Sequence, residues 1–328
     1  MANGSPWGKV AGIVLLLTAL LSLIMVAFAW PATRSSLHDI PLAVAGPPQA
    51  AAQVVSQLES KRAGAFDVTV VGDTAAAERM IKDRKVYGAI DLTTGKPQVI
   101  IASAASPAIA QALQQLAQGL GPADAGPAVR DLVPLPQDDP RGAGLAAGAL
   151  PLVLGGIAAA GLLTNLIIGT GRRVVGAIAF AVTGGLALVA ILQYWLGSLE
   201  GDYWTNSGVV ALSIAATALT ILGLEALFGV AGLGLGAAAM MLLGNPLSGL
   251  ASAPEMLPSG WGALGQYLPP GAAGSLLRSS AFFDGAGSAP HLLVLGGWAV
   301  LGLILAGIAG LRKSRGAGRV AEPELVAA

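Results

Sequence analysis

The sequence predicts a polytopic α-helical membrane protein, with six transmembrane helices and an extracytoplasmic α/β domain between the first and second. Three observations predict it. Of 328 residues, 54% are hydrophobic and only 11% charged, against a charged fraction of about 25% in soluble domains. Residues 31–143 hold 10 of the 18 Lys/Arg and 11 of the 18 Asp/Glu, so one water-facing unit sits in an apolar chain. Six stretches are long enough to cross about 30 Å of hydrocarbon at about 1.5 Å per residue: residues 10–30, 144–169, 174–196, 207–229, 232–250 and 291–311.

The chain then divides into residues 1–30 (N-terminus and first span), 31–143 (the α/β domain), 144–311 (five spans, with a Pro-rich outer segment at 251–290) and a tail at 312–328. Within the first span, Ala27-Phe28-Ala29 matches a signal-cleavage pattern, but the apolar run is longer than the 7 to 15 residues usual before such a site. Lys9, Arg172, Arg173, Arg312, Lys313, Arg315 and Arg319 fall on one side of the spans; Arg34, Arg130, Arg141 and Arg278 fall on the other. Positive charge is retained inside, which predicts both termini in the cytoplasm. Trp7 and Trp30 bracket the first span, and Tyr194, Trp195, Tyr203 and Trp204 bracket the connection between the third and fourth, as interfacial aromatics do.

In the α/β domain, Ile40 to Ala45 reads as a strand, and Pro47-Pro48 opens a helix with Ala51, Val54, Val55 and Leu58 at helical spacing. Phe66, Val68 and Val70 alternate with Asp67 and Thr69, the period of a half-buried strand. Asp73 can cap a helix over 74–84 whose inner face is Ala77, Met80 and Ile81. Val86, Gly88, Ile90 and Leu92 form the next strand, and Thr93-Thr94-Gly95-Lys96 turns it into Gln98 to Ala102. Ser106-Pro107 starts a helix carrying Ile109, Leu113, Leu116 and Leu120, which Gly119 and Gly121-Pro122 end. Leu132 to Pro136 is an extended return to the membrane.

Net charge is zero and no basic patch occurs, so a nucleic-acid partner has no electrostatic basis. The absence of Cys excludes disulfides and thiolate chemistry. The two histidines, His38 and His291, lack the further ligands of a zinc site. Asp138-Asp139 before Pro140 reads as a turn, and no Ser elbow or phosphate loop occurs. Gly142 to Ala147 matches a dinucleotide fingerprint but precedes a membrane span, so it is accidental. No catalytic, cofactor or metal site is expected.

Candidate functional residues lie in and beside the spans. Glu225 is the one charged residue within them, costly if it faces lipid and placed to reach Arg172 or Arg173. Asn245-Pro246 interrupts the fifth span, because proline frees a backbone carbonyl. Gly229, Gly232, Gly234 and Gly236 permit close helix approach. The segment from Ala251 to Pro290 is too apolar for a solvated loop and too rich in proline for a span, which predicts short helices in the outer leaflet or packed on the spans.

This layout resembles the permease subunits of ABC-2-type transporters, and within them the YhgE/Pip-like (phage-infection-protein) branch. The local matches are Ile40 to Pro48, Val86-Tyr87-Gly88-Ala89-Ile90, Asp138 to Gly142, Gly244-Asn245-Pro246-Leu247-Ser248-Gly249, Leu257-Pro258 and Leu268-Pro269-Pro270. The resemblance implies a homodimer or pseudo-dimer of six-span units in the bacterial plasma membrane, re-entrant helices before the last span, and export of an amphipathic or envelope-related substrate powered by a separate cytoplasmic ABC ATPase. Arg172 and Arg173 would then be the ATPase-facing residues. Only Met1 to Lys9 precede the first span, where such exporters carry an amphipathic helix, and the inner connection at Thr170 to Arg173 is short. An ATPase-free envelope protein, whose outer domain binds a partner, a secretion machine or a phage, is the second reading.

Overall fold

Helices make up most of the computed structural model, which describes residues 5–119 and 128–320. Five of them are long and apolar enough to cross a membrane, consistent with a multi-pass membrane protein. They are α1 (Trp7–Thr33), α5 (Ala143–Leu166), α6 (Thr170–Ala190, prolonged by a π-helical turn Ile191–Trp195), α7 (Tyr203–Phe228) and α11 (Ser288–Val320). The fifth stretch expected to span, 232–250, is shorter in the structure. There α8 (Val230–Ala238) runs into a π-helical turn (Ala239–Gly244) and stops before Asn245-Pro246. Its length is only about 22 Å at the helical rise, less than the hydrocarbon thickness.

Between α1 and α5 lies a five-stranded sheet: β1 (Ile40–Ala45), β2 (Phe66–Val71), β3 (Gly88–Asp91), β4 (Gln98–Ile101) and β5 (Ala128–Asp131). The order is β2-β1-β3-β4-β5, with β1 parallel to β2 and β3, and β4 antiparallel to β3 and parallel to β5. Helices α2 (Pro48–Lys61), α3 (Thr74–Lys82) and α4 (Pro107–Gln118) cover it. Alternation along β1 divides the core. Ile40, Leu42 and Val44 pack toward α2 and α4, while Ala43 and Ala45 pack toward α3. The expected caps form: Asp73 accepts from the Ala76 N–H and Ser106 from the Ile109 N–H.

The Pro-rich segment folds into a 3₁₀ turn (Pro254–Met256) and two helices, α9 (Trp261–Gln266) and α10 (Pro269–Phe282). Helix α10 is buried along most of its length against α5, α7 and α11. Helix α9 lies so close to its neighbours that a Cβ on Gly262 or Gly265 would overlap the carbonyls of Pro254 and Leu247. Helices α7 and α11 meet through Gly223 and Gly302, where a Cβ on Gly223 would lie 2.5 Å from the Gly302 carbonyl oxygen. By contrast the buried part of α1 among the described residues is its C-terminal end, where Pro31 is buried and Trp30 packs edge-on to Trp261 at 5.5 Å. Side chains from Trp7 to Leu23 are exposed.

Local differences from the sequence reading have local causes. Helix α3 ends at Lys82, not at 84, because Arg84 is left-handed, and β3 starts at Gly88, after Val86. Strand β5 was not expected; its short AVRD sequence lacks a strand period. Leu120 and Gly121-Pro122 fall outside the described residues. The connection read as Thr170 to Arg173 is the first turn of α6, and the chain reverses at Ile167 to Gly169, with Gly169 at φ 99°.

Candidate functional site

The α/β domain is seated on the Pro-rich segment, which completes the core on both faces of the sheet. Ala253 and Met256 extend the layer under α2 and α4, and Phe282, Phe283 and Ala286 extend the layer under α3. Polar contacts lock the seat. The Ser36 N–H donates to the Met256 carbonyl at 3.0 Å, and the Ser106 hydroxyl donates to the Ser252 carbonyl at 2.6 Å. The Tyr87 hydroxyl donates to Glu255 at 2.6 Å.

Arg84 is the most telling of these residues. The Lys85 N–H returns to the Met80 carbonyl and the Arg84 N–H to Ile81, the Schellman ending of a helix, so Arg84 occupies the left-handed position usual for glycine, at φ 59°. A non-glycine residue there costs about 1–2 kcal/mol. The strain is offset by what the side chain reaches: Arg84 Nη1 donates to the Ser275 carbonyl at 2.7 Å and to the Ser279 hydroxyl, and the guanidinium lies 5.4 Å from the Phe283 ring centre. Burial lowers the Arg84 pKa, opposed by Tyr87 and Glu255. Burial and Glu255 push the Tyr87 phenol up, keeping it a donor. Arg278 of α10 is buried beside them. Its Nη2 donates to the Leu250 carbonyl at 3.3 Å, while its Nε has no partner among the described residues.

A cavity of about 420 Å³ opens at this seat. Arg84, Lys85, Tyr87 and Glu255 line it, with Asp39, another left-handed non-glycine residue at φ 51°. His38 and His291, far apart in sequence, line the same cavity. Among the described residues no group of three His, Cys, Asp or Glu side chains could hold a metal. A second cavity, of about 410 Å³, lies between the C-terminal end of α1 (Phe28, Pro31), α5 (Ala146, Leu150) and the break at Asn245-Pro246. Leu257 lines both cavities.

The candidate residues read from sequence fall in two places. At one end of the bundle Arg173 Nη1 donates to Glu225 at 2.9 Å, its Nε to the Ile167 carbonyl at 2.8 Å and its Nη2 to the Thr164 carbonyl at 2.9 Å. The guanidinium thereby satisfies carbonyls at the end of α5 and pins α6 to α7. Arg172, its neighbour, is exposed and makes no ion pair among the described residues. Asn245 and Pro246 line the second cavity, about the break. There the Asn245 N–H still bonds the Met240 carbonyl at 3.1 Å in π fashion, and the Leu247 N–H bonds Leu243 at 3.1 Å.

Of the glycine series, Gly232 and Gly236 lie close against α7 and Gly234 faces open space. Asp139 caps α5, accepting from the Ala143 and Gly144 N–H groups at 2.8 and 2.7 Å. The glycines at 142–147 open α5, with β5 ending well before them. Sequence reading missed the Arg84, Tyr87, Glu255 and Arg278 cluster. The one available signal was the pair Glu255 and Arg278 in a segment just before the last span whose only other charge is Asp284. The chain matches no protein-family model, no curated protein and no solved structure.

Proposed function

We propose that the chain is the membrane-spanning permease subunit of an ABC-2-type exporter, in the YhgE/Pip-like branch, moving an amphipathic or envelope-related substrate with ATP hydrolysed by a separate cytoplasmic subunit. The observation that carries this reading is a pair of helices too short to cross, α8 and α10. Helix α8 stops at Asn245-Pro246 beside a cavity, and α10 packs among the long helices without itself being long enough to cross. Irregular backbone at membrane depth is tolerated where it is buried in protein or lines a cavity, as in transporters. In this reading the α8 hairpin completes a sixth crossing, α9 and α10 are re-entrant, and the α/β domain is extracytoplasmic with both termini inside. The exposed flank of α1 then faces lipid or a second copy in a homodimer.

A specific observation favours the second reading, an ATPase-free envelope protein that binds a partner, a secretion machine or a phage. Among the described residues the connections at the proposed inner face are Ile167 to Gly169 and the single Gly229 between α7 and α8, which leaves little surface for an ATPase.

Purification of the tagged protein from its native membrane in mild detergent, with quantitative mass spectrometry, tests the choice. The exporter reading expects a stoichiometric ABC ATPase that is lost with Arg172→Ala while the yield of the permease is unchanged. Recovery of envelope or secretion proteins with no ATPase would replace it by the second reading.

A further inference from the structure

The two cavities differ in chemistry and share one lining residue, Leu257. The first is charged: Arg84 and Lys85 line it with Asp39 and Glu255, Lys85 also pairs with Asp83 at 3.2 Å at the surface, and Arg278 lies beside Arg84. Glu255 is already engaged by the Tyr87 hydroxyl. Arg84 carries five N–H donors, yet both of its hydrogen bonds leave from Nη1. Its Nε and Nη2 have no partner among the described residues, on a side chain held in a strained backbone position at the cavity wall. Such a planar, open pair of donors matches two oxygens of a phosphate. The second cavity is apolar, walled by α1, α5 and the Asn245-Pro246 break, and reaches the flank of α1.

We propose that the two cavities form one site for a phosphate-bearing lipid, its head group held by Arg84 and Lys85 and its acyl chain passing Leu257 into the cavity beside Pro246. The inference rests on the reading of the chain as a permease for an amphipathic substrate, and it names that substrate's head group. The Trp30–Trp261 pair, at the end of α1, marks the depth at which head groups lie. Glu255 and Asp39, which line the same cavity, would accept from hydroxyl or ammonium groups on a larger head.

The test uses the full-length protein in mild detergent, titrated with dioleoyl phosphatidic acid, dioleoylglycerol and glycerol 3-phosphate, and read by native mass spectrometry and thermal melting. The expected result is a one-to-one adduct with phosphatidic acid, bound about tenfold or more tightly than dioleoylglycerol. Arg84→Gln removes the central contact but also loosens the seat on α10. Lys85→Glu, at an exposed position, and Ala146→Phe, which fills the apolar cavity, serve as the deciding variants. Each should weaken phosphatidic acid about tenfold while leaving the lipid-free melting temperature unchanged.

Equal binding of phosphatidic acid and dioleoylglycerol, or binding unaffected by both variants, overturns the site. Glycerol 3-phosphate binding as tightly as the lipid overturns the acyl half and leaves a soluble phosphate site. Head-group-dependent binding without a co-purifying ATPase supports the site and removes the exporter; an ATPase without such binding does the reverse.

Discussion

Replacing Arg173 by Ala is expected to destabilise the bundle strongly, while the same change at the adjacent Arg172 is expected to do almost nothing. Arg173 makes three charge-assisted hydrogen bonds at 2.8 to 2.9 Å, two to carbonyls near the end of α5 and one to Glu225 of α7. Each such bond contributes about 1.5–3 kcal/mol in isolation, but the three share one side chain and do not add. Breaking one side of a buried pair costs about 3–5 kcal/mol because the remaining charge is stranded. Here the side chains of Arg173 and Glu225 keep 20% and 14% of their exposure, so water relieves part of that cost and about 3 kcal/mol is expected. Glu225→Gln keeps an acceptor and leaves Arg173 its two carbonyls, which reduces the loss to about 1–2 kcal/mol. Arg172→Ala should stay within about 0.5 kcal/mol of wild type.

Unfolding in mixed micelles titrated with SDS measures these differences, and the double change at 173 and 225 gives a coupling of about 1–2 kcal/mol. Equal stability of Arg173→Ala and wild type, or equal losses at 172 and 173, would refute the reasoning. The pair also separates two roles. Loss of an ATPase contact with Arg172→Ala at unchanged stability is a docking effect, whereas loss with Arg173→Ala follows from a loosened α5–α6 hairpin.

Gly302→Val should cost about 3 kcal/mol or prevent folding, since the new Cβ would overlap the backbone at Leu219 and Thr220; a normal yield of monodisperse protein would rule this out. Tyr87→Phe should weaken the seat of the α/β domain by about 1–2 kcal/mol, because it leaves the Glu255 carboxylate without its donor. Limited proteolysis between β5 and α5 reads that loosening, and an unchanged cleavage rate counts against the seat. Asp91 gives a pH effect of known sign. Burial raises its pKa, but bonds from Thr74 and Thr93 outweigh it and, with Arg130, hold it below the ordinary 3.8. Its folded value is depressed, so its contribution is complete above the unfolded value and fades as pH falls through the folded one. Below about pH 4, wild type should therefore lose stability more steeply than Asp91→Asn, and parallel pH profiles of the two would contradict the assignment.

By itself the sequence determined what depends on neighbours along the chain. Hydropathy over about 20 residues located the long helices, alternation located β2, and Asp73 and Ser106 marked where α3 and α4 begin, because those signals and the structures they specify share the same few residues. The proposed Glu225 contact was within reach of the sequence as well, since a lone carboxylate in an apolar helix needs a partner; which of Arg172 and Arg173 supplies it was not, because that depends on the turn at Gly169. Tertiary structure alone decided the rest. Helix α8 reads as a span by hydropathy, yet it ends at Asn245-Pro246 where the chain turns to pack α9 and α10 among the long helices. Arg84 reads as one charge in a polar helix, yet it bonds a carbonyl 191 residues away. A contact over that distance leaves no period or spacing in the sequence, since its two halves are chosen by packing and not by each other's neighbours, and so the charged cavity and the seat around it became visible only in three dimensions.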